Sequence, residues 1–357
     1  MQYSGGKALA LDCDSLFVIR VDSELFASAL RTFQLSRGIM SGTLLFVDCS
    51  GYKSLPSIEA LRIISGDHPL ESVTSASAAM QVLKHKPDIA IMIANSPDFE
   101  LYSQFRMSNP SGHAVLVTEL PMKDYSALLQ CREEQLLDHV VANKGREGWS
   151  IHQLRVTINK IFSRDVFGIQ KYLSPNTIIH RELVRGSAER EELNSKVMRF
   201  TEACHLGQHA ARMAFGITEE LLMNTVYDAP AAAGIARFKN VEQTQAIVLE
   251  PEEYGELSYA CDGQILAIST ADPFGALRKE TLLTYLKKVL KRDEADGLID
   301  EKRGGAGLGL FKILYSSHGI VCNVDPGKRT EIMALIDVND QLRDFASMAR
   351  SIHYFRT

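Results

Sequence analysis

The sequence predicts two architectures in tandem: an α/β doubly wound parallel sheet over residues 41–163, then an α+β sandwich over residues 176–338. Three observations carry this. Five short apolar runs alternate with helical periodicity in the first stretch, as parallel strands buried on both faces require. Across residues 164–175 (RDVFGIQKYLSP) the pattern changes to turn-linked strands with helices set apart from them. In the second stretch Asp262-Gly263 separates two strand-like runs, a strong hairpin signal.

The remaining spans are an N-terminal extension (1–40) whose role the sequence does not assign, a linker (164–175) and a C-terminal helix (339–357). The chain of 357 residues is long enough for two or three cores. Its 45% hydrophobic and 23% charged residues are those of a soluble globular protein. A net charge of −5 with no long basic run argues against direct nucleic-acid binding. No apolar run approaches the roughly 20 residues of a membrane span, and the N-terminus lacks the layout of a signal peptide. Six scattered cysteines without a C-x-x-C read as reduced thiols, so the expected location is the cytoplasm.

In the first stretch, strands are expected at 43–48 (TLLFVD), 71–74, 89–94 (IAIMIA), 114–118 (AVLVT) and 139–142. Helices are expected at 58–64, 77–84, 124–133 and 149–162. Asp48 ends the first strand, Thr118 ends the fourth and Lys144 follows the fifth. This arrangement resembles a response-regulator receiver domain, which places a metal-binding acid, a Ser/Thr and a Lys there. Ile93 or Ala94 stands where that family has its phospho-acceptor Asp, and Cys49 stands at the second acid. The resemblance therefore implies a pseudo-receiver that forms no acyl phosphate and serves for docking or dimerisation.

In the second stretch a strand (177–184) and a charged helix (187–204) precede a helix over 210–227. On that helix Glu220 and Asn224 are four residues apart and share a face, which Asp228 extends. Ala214, Ile217, Leu221 and Leu222 form the neighbouring apolar stripe. Asn supplies an oxygen ligand for Mg²⁺, and Glu can polarise a water or hydroxyl. Strands at 255–261 and 264–270 deliver Asp272, a carboxylate that can accept from an exocyclic amine and so select adenine. After a helix (277–290) and a charged lid (291–303), Gly304, Gly305, Gly307 and Gly309 open a helical run, a loop whose N–H groups can approach an anion. Strands at 320–324 and 331–338 then pair around Pro326-Gly327.

That order is similar to the ATP-binding domain of gyrase, heat-shock chaperone, histidine kinase and MutL proteins, the GHKL or Bergerat fold. The resemblance implies the following roles. Glu220 is the catalytic base, and Asn224 is the Mg²⁺ ligand in the N-box ELLMN. Asp272 and Gly275 belong to the adenine-binding DPFG, and Gly305, Gly307, Leu308 and Gly309 to the second glycine box. Thr330 stands beside the adenine, and Arg303 with Lys302 contacts phosphate. Phe274 replaces the first glycine of the family's D-x-G-x-G. The layout most resembles anti-sigma-factor serine kinases, which implies ATP/ADP and Mg²⁺ as cofactors. It also implies a signalling partner, either a sigma regulator, an anti-anti-sigma-like protein or a response-regulator protein, and is compatible with a homodimer. The competing expectations are a non-catalytic nucleotide-dependent adaptor and an atypical two-component kinase or response regulator.

Overall fold

One mixed sheet of eleven strands organises the chain, in the order β2-β1-β3-β4-β5-β11-β9-β10-β8-β7-β6. The computed structural model describes residues 42–49, 51, 56–125, 137–144, 147–284, 308–340 and 348–357. Strands β1 (Thr43–Val47), β2 (Leu70–Val73), β3 (Ile89–Ala94), β4 (His113–Thr118) and β5 (His139–Ala142) are all parallel. Helices α1 (Ile58–Ser65), α2 (Ala76–His85), α3 (Phe99–Ser108) and α4 (Glu147–Ser163) cover both faces. Alternation in β1 explains this: Leu44 and Phe46 join Leu61 of α1 and Leu154 of α4 in one core. Leu45 and Val47 face Leu83 of α2 and Phe105 of α3 in the other.

Helix α3 is not anticipated by the sequence reading. Its apolar residues Leu101, Tyr102 and Phe105 make a narrow stripe, and its start is fixed by Asp98, whose carboxylate accepts the Leu101 N–H at 3.1 Å. The expected 124–133 helix falls mostly on residues 126–136, outside those described; before it lies a 3₁₀ turn, Met122–Asp124.

The second half is antiparallel. Strands β6 (His180–Val184), β7 (Gly255–Cys261), β8 (Ile265–Asp272), β9 (Gly319–Asp325) and β10 (Arg329–Asp337) pair as β6-β7-β8-β10-β9. Both expected hairpin turns are present, with Gly263 at φ 85° and Gly327 at φ 74°. Asp262 secures the first by accepting from Gln264 and Ile265. Helices α5 (Arg190–Ala203), α6 (Gln208–Met223) and α8 (Leu308–Tyr315) pack on one face of this half, and a short α7 (Ala229–Ala232) lies between α6 and the hairpin.

The chain end differs from expectation. Residues 341–347 lie outside those described, but Ser351–Arg356 is a strand, β11, where the sequence reading places a helix. It runs parallel to β9 and antiparallel to β5, so it joins the two halves into one sheet. Its alternation suits this place. Ile352 and Tyr354 enter one core and Phe355 the other. Residues 40–357 accordingly form one compact unit. The stretch read as a linker is also packed in: Val166, Ile169, Tyr172 and Leu173 are buried, because the 3₁₀ turn Ile169–Tyr172 lies against β8 and α4.

Candidate functional site

Helix α6 buries Ala214, Ile217, Thr218, Leu221 and Leu222, which leaves Glu220 and Asn224 half-buried beside that stripe. Past Met223 the helix widens into a π turn, Asn224–Asp228, closed by a bond from the Ala229 N–H to the Asn224 carbonyl. The hydroxyls of Thr225 and Thr270 both donate to the Leu221 carbonyl, at 3.0 and 3.2 Å. The π turn is thereby fastened to β8, the strand that ends in Asp272.

A cavity of about 260 Å³ opens between these elements. Asn224, Asp228, Asp272 and Thr330 all line it, although they come from three separate segments. Asp272 and Thr330 are paired across β8 and β10. The Asn224 Nδ2 donates to the Glu220 carbonyl oxygen at 2.8 Å. A carbonyl can only accept, so the amide orientation is fixed and Oδ1 is left as a ligand oxygen.

Asp272 is 8% exposed, and its carboxylate accepts the Phe274 N–H at 2.9 Å. Burial raises its pKa to about 6, although the N–H groups of Phe274 and Gly275, the Thr330 hydroxyl and Arg329 pull the other way. Asp228 is raised to about 6 as well, first by burial and further by the Glu220 charge, against a hydrogen bond from Gln243. Among the described residues the lining carries two carboxylates, Asp228 and Asp272, and no Lys or Arg.

Glu220 stands outside this lining, one turn before Asn224. Its Oε1 accepts from the Lys312 ammonium at 2.7 Å. Gly309 lies against both groups: a Cβ there would come 2.8 Å from the Glu220 Oε2 and 3.3 Å from the Asn224 Nδ2. A side chain at this position would have to displace the Glu220 carboxylate, so the start of α8 and helix α6 approach closely here. Gly275 has φ +60°, and a Cβ there would collide with the Asp325 carbonyl oxygen and lie 2.6 Å from the Gly327 nitrogen. It forms the far wall of the Asp272 turn and lines a neighbouring cavity. Leu308 opens α8; Arg303, Gly305 and Gly307 lie outside the described residues.

Thr270, Ile332 and Lys312 belong to this region without having been singled out in the sequence. Thr270 and Ile332 follow from strand alternation, each two residues from a named one. Lys312 is one helical turn past Gly309.

In the first half Asn95, not a carboxylate, faces Asp48: its Nδ2 donates to the Asp48 Oδ1 at 2.7 Å and its Oδ1 accepts the Cys49 N–H at 2.8 Å. Lys144 turns elsewhere, its ammonium 3.4 Å from Asp340, 3.8 Å from Asp337 and over the Trp149 ring. The receiver-like trio is thus not assembled around Asp48 by Lys144. Among the described residues no three acidic, His or Cys side chains form a metal-binding group, and no helix is long and apolar enough to cross a membrane.

No protein-family model matches the chain, and no curated protein matches it. Among solved structures, a chain of the SiaB–SiaC complex from Pseudomonas aeruginosa is similar at a TM-score of 0.28 and 16% identity, over 44% of this chain and 88% of that one. A likeness that faint leaves the chemistry to be argued from this chain's own residues.

Proposed function

We propose that this chain is a signalling protein that binds Mg-ATP through a GHKL-type site and passes the γ-phosphoryl group to a hydroxyl of a partner protein. The observation that carries the reading is the convergence of Asn224, Asp228, Asp272 and Thr330 on one cavity. Mg²⁺ held on the triphosphate would supply charge neutralisation. The described lining suits that group: two carboxylates near the site favour a triphosphate whose charge a metal offsets. A lone Asn oxygen also suits a cation that keeps few protein ligands.

Each residue then has a task that follows from its surroundings. Ionised Asp272 accepts from an exocyclic amine, whereas the carbonyl of guanine would meet it acceptor to acceptor. Thr330, hydrogen-bonded to Asp272, fixes the carboxylate in place. Asn224 offers Oδ1 because its amide nitrogen is anchored on Glu220. Glu220, one turn before Asn224, would take a proton from an attacking hydroxyl. The receiver-like half, with Asn95 on Asp48, is assigned to docking of the partner or of a second copy.

Calorimetric titration with ADP and ATP, with and without Mg²⁺, tests this. Saturable binding that Asn224→Ala makes insensitive to Mg²⁺ supports the site, and no heat with either nucleotide overturns it. A second reading, nucleotide-dependent switching without turnover, is favoured by one contact. The Glu220 carboxylate that should act as base is already paired with Lys312. Phosphate release that Glu220→Ala abolishes while binding persists selects the kinase or ATPase reading. Binding without turnover in both proteins selects the adaptor.

A further inference from the structure

A second concavity lies beside the one described above and is more than three times its volume. It encloses about 890 Å³ where the parallel and antiparallel halves meet. We infer that this seam cavity is a binding site for a small phosphate-bearing anion, held by Arg278 and Arg356 over a platform made by Arg106, Lys279 and Asp138.

Charge is the first ground. The chain carries −5 overall, yet this cavity is lined by Arg106, Arg278, Lys279 and Arg356 against only Asp138 and Glu280. His113 adds no charge at neutral pH, because burial lowers its pKa. The field inside is thus opposite in sign to that of the whole molecule.

The second ground is how those cations are held. Asp138 accepts from the Arg106 guanidinium, from Lys279 at 2.8 Å and from the Ala114 N–H at 2.9 Å. Arg106 also donates to the Gly112 carbonyl oxygen. One carboxylate therefore orders two cations and cannot neutralise both. The Arg278 and Arg356 side chains are exposed at the rim, and their guanidinium groups make no ion pair or hydrogen bond with a described residue. A guanidinium binds phosphate in bidentate fashion and sheds its water more readily than an ammonium does.

Shape decides the size of the ligand. The volume lies in the range of small-molecule sites. The cations gather in one concavity and do not form the long stripe that a nucleic-acid backbone needs. The site is separate from the nucleotide cavity: they share only Ala232, Ala276 and Leu277 and sit on either side of the Asp272–Gly275 turn.

The test is calorimetry of the full chain with pyrophosphate at low salt and without Mg²⁺. Saturable 1:1 binding is expected, weakening as salt rises. Arg278→Ala and Arg356→Ala should each weaken it by about tenfold, the loss of one charge-assisted pair. Both side chains are exposed, so the fold tolerates the changes. Asp272→Asn should leave pyrophosphate binding intact, which separates this claim from the nucleotide reading. Several outcomes overturn it: no saturable heat, equal binding by the double arginine variant, or loss of binding in Asp272→Asn. Tighter capture of a single-stranded oligonucleotide than of pyrophosphate also overturns it, in favour of a nucleic-acid face.

Discussion

Replacing Asp272 by Asn removes a charge and keeps the shape, and the structure lets the consequence be worked through. In the fold the Asp272 carboxyl titrates at about 6, against an ordinary value of 3.8. That gap of about two pH units corresponds to about 3 kcal/mol. The folded state holds the proton more tightly than the unfolded chain does. The cost of ionisation is therefore absent below about pH 4, grows between pH 4 and 6, and is complete above pH 6. Asn escapes that cost but turns an NH₂ toward the Phe274 and Gly275 N–H groups, at roughly 1–2 kcal/mol. At pH 8 the variant should be about 1–2 kcal/mol more stable than the wild type, and at pH 4.5 equal or less stable. Urea denaturation at the two pH values reads this directly. Adenine-nucleotide affinity should fall at least about tenfold, since an acceptor becomes a donor. In the wild type that affinity should itself drop as pH falls through about 6. A variant that is less stable at pH 8, or whose stability difference does not change with pH, refutes the burial argument. Unchanged nucleotide affinity refutes the adenine contact.

Further perturbations address other parts of the molecule. Gly275→Ala should cost at least about 2 kcal/mol, because φ +60° and the collision with the Asp325 carbonyl act together; a thermal melt unchanged within 2 °C would contradict it. Lys312→Met removes a half-exposed pair and should change stability by under about 1 kcal/mol. Under the kinase reading it frees Glu220 and raises phosphate release per bound ATP, and an unchanged rate counts against Glu220 as base. Phe355→Ala, in a fully buried strand position with the His139 ring 4.4 Å away and the Lys160 ammonium 3.7 Å away, should cost about 3–5 kcal/mol. Because β11 lies between the halves, probes placed in each half should lose structure in a single transition; two separated transitions would show that they fold independently.

What could be read from the chain, and what could not, divides by range of interaction. The β7–β8 hairpin was legible because Asp262 and Gly263 carry the whole turn within four residues. The half-buried face of α6 was legible from the spacing of Ala214, Ile217 and Leu221 against Glu220 and Asn224. The π turn at Asn224 was not, since it depends on Thr270, far along the chain, binding the Leu221 carbonyl. Lys144 was placed by analogy beside Asp48, but Asp337 and Asp340, nearly two hundred residues later, supply the nearer charges. The largest miss, β11, has the same origin. SIHYFR alternates as a strand should, yet alternation names no partner, and its partners β5 and β9 lie in the two halves that local pattern had separated.

That placement has a mechanical consequence. Asp138 immediately precedes β5, and its side chain takes the ammonium of Lys279 from just beyond the Asp272–Gly275 turn. Its backbone carbonyl accepts the Tyr354 N–H of β11, and the Tyr354 hydroxyl donates to the Leu277 carbonyl oxygen at 3.0 Å. The loop that walls the Asp272 cavity is therefore braced on the parallel half and on the last strand. A displacement of the parallel half by a bound partner would be transmitted to this loop through Lys279 and Tyr354, before it reached Asn224. Lys279→Met, which removes the ion pair but not the stem, isolates that connection. It should leave the α6 end of the site intact and loosen the Asp272 end, read as faster amide exchange at residues 274–278 with exchange at residues 220–226 unchanged. Equal loosening at both ends would show that the two sides of the cavity respond as one piece.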